Sequence, residues 1–262
     1  MEIERTISEV QAQEFDKQGA HLVGGSERIT GFMVQRIVDR LSRVTERPGL
    51  RYRAYLYEDP DPNAAALADG RIYLSTGLLQ YLATRGGRED ELAFILGHEL
   101  AHTVAQHLVK RYRQMAQQEL LVGLASAGIS AATRNASARG QQLGQLVLDA
   151  AGLARSVVNS NYSQADELEA DQLGIQYVMR AGYDPRAALD LLEDFARFDS
   201  PSPFLRTHPY ITERRAQLAR YLNELGEDAG VRRLREAQRL YPKGSVSWSN
   251  LEREIEALES RR

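Results

Sequence analysis

His98-Glu99-Leu100-Ala101-His102 is the stretch on which the reading of this chain turns. It lies in a segment of helical character from Glu89 to about Arg113, where Leu92, Ile95, Leu96, Leu100, Val104 and Leu108 recur at helical spacing. Residues four apart on a helix stand one above the other, so the imidazoles of His98 and His102 converge on one point. Glu99, one residue along, reaches a water held at that point but is badly placed to be a ligand itself. Two imidazoles with a carboxylate base beside them are what metal-assisted hydrolysis of a peptide bond requires. Without a metal, the same three side chains would be costly to satisfy on a core-facing helix.

A catalytic zinc takes three protein ligands and a water. The chain has no Cys and five His, so the third ligand is another His or a carboxylate. The best source is Ser163-Gln164-Ala165-Asp166-Glu167-Leu168-Glu169-Ala170-Asp171, which reads as a helix start with Ser163 as N-cap. Leu168, Ile175, Tyr177, Val178 and Met179 carry that helix on to a stop at Gly182. Glu167 and Asp171 share a face, so one can bind a metal while the other accepts the free N–H of a ligating histidine. Glu169 is the rival ligand but points about 200° around the helix from Glu167, so geometry allows one of the two.

Gly97-His98-Glu99-Leu100-Ala101-His102 together with Glu167-Leu168-Glu169-Ala170-Asp171 resembles the gluzincin family of CAAX prenyl protease-like and HtpX-like metallopeptidases, most closely its soluble BepA-like branch. Further segments agree in order: Pro62 to Gly70 followed by Ile72 to Leu79, and Thr207-His208-Pro209 with Arg214 beyond it. The resemblance implies a zincin-like core, one zinc ion per chain held by His98, His102 and Glu167, and Asp171 behind the ligands. It also implies an envelope or periplasmic location, with contact to the membrane periphery or to outer-membrane assembly. The catalytic expectation is water attack on a peptide carbonyl, with Glu99 as base and His208 and Arg214 over the site as candidates to steady the oxyanion. His208 is alternatively a fourth ligand that displaces water and keeps the site latent. The leading function is therefore a zinc endopeptidase acting on unfolded or misassembled proteins. A zinc-binding chaperone or assembly factor with a latent site is the alternative, and an aminopeptidase the weaker third. Manganese, cobalt or nickel could use the same ligands.

The other histidines carry no such signal. His107 is five residues beyond His102, which on a continuous helix turns it well away from the ligands. His21 has no motif around it and reads as surface.

Arg51 to Tyr57 alternates like a strand, and Ala64 to Ala68 and Arg71 to Ser75 flank Asp69-Gly70, a hairpin signal. A small sheet beside the active helix offers an edge strand to an extended protein or peptide substrate. Elsewhere helices dominate, giving an α+β, predominantly helical fold. Ile29, Met33, Ile37, Leu41 and Val44 mark a helix before the strands, and Asp184-Pro185 opens another to about Phe198.

The chain of 262 residues carries a net charge of −3, which gives no electrostatic case for nucleic acid. No segment approaches the ~20 apolar residues of a membrane helix. The nearest is Leu120 to Ala132, read as a small-residue helix. Met1 opens onto an amphipathic stretch without the charged and apolar regions of a signal peptide. A metallopeptidase domain over residues 1–225 and a helical tail over 226–262 are expected. Gly226 to Gly230 would be a hinge, and the tail, split at Pro242-Lys243-Gly244, a clamp or partner surface. Residues 134–145 read as the mobile segment, and oligomeric state is not legible.

Overall fold

The computed structural model describes residues 2–84, 86–132, 150–158, 160–197, 208–240 and 242–260. Residues 134–145, Phe198 and Thr207, all named above, lie outside them. The chain forms two compact units, Met1–Arg214 and Arg215–Arg262.

The first unit opens with α1 (Glu2–Asp16), β1 (His21–Leu22), α2 (Val34–Ser42), β2 (Arg53–Tyr57), β3 (Ala64–Ala66) and β4 (Arg71–Ser75). Then come α3 (Thr76–Thr84), α4 (Glu89–Val104), α5 (His107–Ala132), α6 (Ala150–Val158), α7 (Gln164–Arg180) and α8 (Ala187–Phe195). The strands make one sheet in the order β1-β2-β4-β3, with β2 and β4 parallel and the other pairs antiparallel. The expected hairpin is present, with Ala64 opposite Leu74, Ala65 opposite Tyr73 and Ala66 opposite Ile72. Its turn needs Gly70, whose φ is +95° and where an added Cβ would meet the Arg51 carbonyl at 3.0 Å. His21 lies exposed on β1.

Two expected helices are interrupted, each by a backbone turn. The run from Ile29 does not start a helix, because Thr30 and Gly31 both take positive φ. They close a tight turn in which Ile29 and Phe32 exchange both backbone hydrogen bonds at 2.9 Å, and α2 begins only at Val34. The segment from Glu89 to Arg113 is likewise two helices. Gln106 sits at φ +58°, so α4 ends at Val104 and α5 restarts at His107.

α4 is the centre of this unit, buried continuously from Glu91 to Thr103. It packs most extensively on α7 and also touches α2, β3 and α8. The α4–α7 approach depends on two glycines. A Cβ on Gly97 would lie 3.1 Å from the Gly174 carbonyl oxygen, and one on Gly174 would lie 2.9 Å from the His98 amide nitrogen. α7 has the predicted ends. Ser163 accepts from the Asp166 amide while Asp166 accepts from the Ser163 amide, a reciprocal capping box. Gly182 stops the helix at φ +75°.

The second unit holds most of α9 (Ile211–Gln238) and all of α10 (Val246–Glu259). Gly226 and Gly230, expected as a hinge, lie inside α9. A mid-helix Gly costs about 1 kcal/mol relative to Ala, and the Ala, Leu, Arg, Glu and Gln around them outweigh that. The expected split falls between the helices, at Pro242 to Ser245. Gln238 bonds the Trp248 carbonyl and Glu252, and Arg235 pairs with Glu259.

Gly174→Ala should push α7 off α4 and destabilise the fold by about 1–3 kcal/mol, the usual effect of overpacking. Urea denaturation checks this, and a wild-type midpoint would show that the crossing yields.

Candidate metal centre

The crossing of α4 and α7 lays Glu167 and Asp171, about two turns and one turn before Gly174, against His98 and His102. His208, which follows the undescribed residues 198–207, completes the group. One ligand atom from each of His98, His102, Glu167 and His208 lies within 4.8 Å of every other, and all four residues are buried. No comparable cluster of His, Cys, Asp or Glu was found elsewhere among the described residues. Glu169 points away, half-exposed, as the helical wheel required.

Whether these donors suit a metal ion follows from their hydrogen bonds. His98 Nδ1 is 2.9 Å from Asp171 Oδ1, and His102 Nδ1 is 2.8 Å from His107 Nδ1. With those outward nitrogens carrying the hydrogens, the inward Nε2 atoms face each other at 3.0 Å, which only a positive charge between them reconciles. Burial pushes His98 down, but hydrogen bonds to Asp171 and Glu167 carry it up to about 9. The point that would hold a metal thus favours positive charge, and a proton on His98 would compete with the ion. Burial, and then the neighbouring His98, push His102 well below the usual histidine range. The Glu167 carboxyl is opposed by burial, yet His208 and Arg214 hold it far below the carboxylate range, so it stays ionised. Two imidazoles and an anionic carboxylate, with a third imidazole beside them, fit a divalent metal.

Glu99 stands at the edge of this cluster. Its Oε2 accepts the Ala66 amide at 2.8 Å, while Oε1 is buried with no hydrogen-bond donor and lies 3.3 Å from His208 Nε2. One oxygen is thus held by the backbone, and the other faces the His208 ring. Glu99 and His208 line a cavity of ≈ 210 Å³ whose walls include Phe15, Ala64, Ala65 and Tyr162. The Tyr162 ring stacks on His102 at 3.8 Å between centroids. A larger cavity of ≈ 700 Å³, lined by Arg36, Arg40 and Arg43 of the α2 segment, contains none of these groups.

Two sequence readings need correction. Arg214 does not face the cavity. Its Nε and Nη2 bond Asp171 at 2.8 and 2.7 Å, and Nη1 lies 2.7 Å from Glu167 Oε2 and 3.3 Å from the His208 carbonyl. The Glu167 contact is an ion pair whose angle makes no hydrogen bond. The guanidinium is completely buried behind the ligands, every edge engaged, so nothing is left for an oxyanion. His107 is the second. It is buried against His102, because the break at Gln106 returns it to the face from which a straight helix would have removed it. The sequence holds little sign of this, since Gln is not a residue that advertises a left-handed turn.

Helical layers around a small sheet, with an H-E-x-x-H helix facing a glutamate from a second helix, define a metal site of metallopeptidase type. Peptidase family M48 matches residues 32–222, and the chain belongs to that family. Among curated relatives it is 31% identical over 179 residues to the beta-barrel assembly-enhancing protease of Yersinia pestis, covering 66% of this chain and 35% of the relative. It is 28% identical over 199 residues to the mitochondrial metalloendopeptidase OMA1 of Schizosaccharomyces pombe, covering 74% and 54%. It is also 28% identical over 212 residues to the metalloprotease LoiP of Escherichia coli, covering 80% and 77%. The chain thus spans about a third of the first of these relatives, 35% of its length. Among the described residues no helix is long and apolar enough to cross a membrane.

Arg214→Met should destabilise the fold by about 3–5 kcal/mol, since it strands two buried carboxylates, and Arg214→Lys should recover only part because an ammonium cannot fork between them. Denaturant titration reads both; a neutral Arg214→Met would mean that the cluster tolerates unpaired charge.

Proposed function

We propose that the chain is a zinc-dependent endopeptidase that cuts unfolded or misassembled proteins. The observation that carries the reading is the Glu99 carboxylate, pinned by Ala66 at one oxygen and facing His208 Nε2 at 3.3 Å with the other, beside two imidazoles and a carboxylate aimed at one point. His98, His102 and Glu167 are the ligands, and a zinc ion there would supply Lewis acidity, making a bound water acidic near neutral pH and polarising the scissile carbonyl. Glu99 Oε1 takes the water's proton and passes it to the leaving amine. Asp171 holds the His98 ring through Nδ1, and Arg214 holds Asp171 and Glu167 in place. His208, on the cavity wall beside Glu99, is the group that reaches the developing oxyanion.

The sheet supports an extended substrate. β3 spends alternate backbone groups on β4, with Ser75 N bonding the Asn63 carbonyl and Leu67 N the Arg71 carbonyl. By parity Ala64 and Ala66 turn theirs outward. Ala66 N–H is taken by Glu99, which leaves Ala64 for a peptide strand laid along the edge. The cavity beside it, ≈ 210 Å³ and walled by Phe15 and Tyr162, suits one apolar side chain. Backbone pairing of this kind favours unfolded chains or loops. The names of the relatives, a protease enhancing beta-barrel assembly among them, support a substrate in the cell envelope.

A second reading rests on His208. Its position within the donor cluster makes it a fourth ligand that would exclude water, leaving a latent site on a client-binding protein.

Digestion of casein by the zinc-loaded chain tests the first reading. Internal cuts are expected, slowed by ~10²–10⁴-fold in Glu99→Gln with zinc content unchanged. No cuts in either protein despite bound zinc would sink the endopeptidase reading. His208→Ala should then decide between roles: it keeps zinc in both cases, but slows cleavage if His208 serves the oxyanion and unmasks it if His208 blocks the site.

A further inference from the structure

The two histidines of the helix motif are held from behind in unlike ways. His98 Nδ1 meets the Asp171 carboxylate, itself clamped by Arg214. His102 Nδ1 meets another imidazole, His107 Nδ1, at 2.8 Å, and the far nitrogen of that ring, Nε2, lies 3.2 Å from Glu169 Oε2 and 3.8 Å from Asp166 Oδ1. If His102 coordinates through Nε2, its hydrogen is on Nδ1 and points at the His107 lone pair. The His107 hydrogen is then on Nε2 and points at Glu169. The chain of donors runs in one direction from the metal to the surface, where Glu169 is half-exposed beside Lys110 Nζ at 3.8 Å.

The backbone is built to allow this. A straight helix would place residue 107 about 140° around from His102. Gln106 instead takes a left-handed conformation, φ +58°, which a residue with a side chain adopts at a cost of about 1–3 kcal/mol. Its side-chain amide is anchored on Glu4 Oε1 at 3.3 Å, and Glu4 is itself paired with Arg47. Arg47 in turn donates to the Thr103 carbonyl one turn before the break. Strain at one residue, held through Glu4 and Arg47, brings one ring back against a proposed metal ligand.

We propose that His107 is a positioning residue for the metal centre: it fixes the Nδ1–H tautomer and ring angle of His102, and through it the surface carboxylate of Glu169 adjusts how tightly the metal is held. The inference rests on the metal reading above. Its consequence is that the two ligands differ, one backed by a fixed buried salt bridge and the other by a group that solvent and partners can reach.

The test is zinc affinity by competition with a chromophoric chelator, on the full chain. His98→Ala should abolish tight binding; if it binds as wild type, the ligand assignment itself fails, separately from the relay. His107→Phe keeps the ring volume but offers no acceptor, and should weaken zinc binding by ~10–100-fold. His107→Asn, whose amide oxygen falls near the place of Nδ1, should restore most of that loss, which a role in packing alone would not produce. Glu169→Gln should weaken binding a few-fold in the wild-type background and not at all in His107→Phe. Wild-type affinity in His107→Phe overturns the proposal, as does a Glu169 effect that persists without the imidazole. If circular dichroism shows that His107→Phe does not fold, Glu169→Gln decides alone, and unchanged affinity there overturns the relay.

Discussion

The close crossing of α4 and α7 at Gly97 and Gly174 is the constraint from which the site follows. Neither helix holds a complete donor set. α4 brings two imidazoles and a base, and α7 brings the carboxylate one turn and more before the crossing. The absence of a side chain at both glycines sets the helix separation, and that separation decides whether Glu167 reaches the point on which His98 and His102 converge. Side-chain chemistry could not compensate for an extra ångström here, because the donors are short and their rings are already held from behind.

That arrangement places much charge where water does not reach. Glu99, Glu167 and Asp171 are buried, and the opposing charge comes from Arg214 and from whatever cation sits among the histidines. Arg214 is the permanent part of that balance, and its planar fork suits two carboxylates on one helix face. The rest would come from a cation held among the histidines. Metal binding would thereby contribute to the stability of the fold, since the buried carboxylates need a positive partner.

The same economy appears at Glu99. Its carboxylate is tied to the edge strand through the Ala66 amide, which joins the proposed base to the backbone proposed to receive a peptide. Tyr162 stacks on His102, which joins the segment before α7 to the active helix at the cavity wall. Sheet, helix and cavity are linked through Glu99 and His102 themselves rather than merely around them.

Much of this was legible in the sequence because it depends on local periodicity. The i, i+4 spacing of His98 and His102 needs only a helix, and so does the shared face of Glu167 and Asp171. The Ser163 cap, the Gly182 stop and the Asp69-Gly70 turn are short-range chemistry of the same kind, and each stands where the residues put it. Arg214 and His107 were misread because their roles depend on what lies across from them. A long cation near a cleft reads as a substrate contact until two buried carboxylates from another helix are seen to occupy it. A histidine five residues past a ligand reads as turned away until the chain bends at a residue with no preference for bending. Sequence alone therefore determined that these segments are helical, both ends of α7 and the donors that α4 and α7 carry, but not the turns at Thr30-Gly31 and Gln106. The tertiary structure decided which donors meet and which way each guanidinium and imidazole faces, because those follow from helix separation and from a strained turn held by contacts distant in the chain.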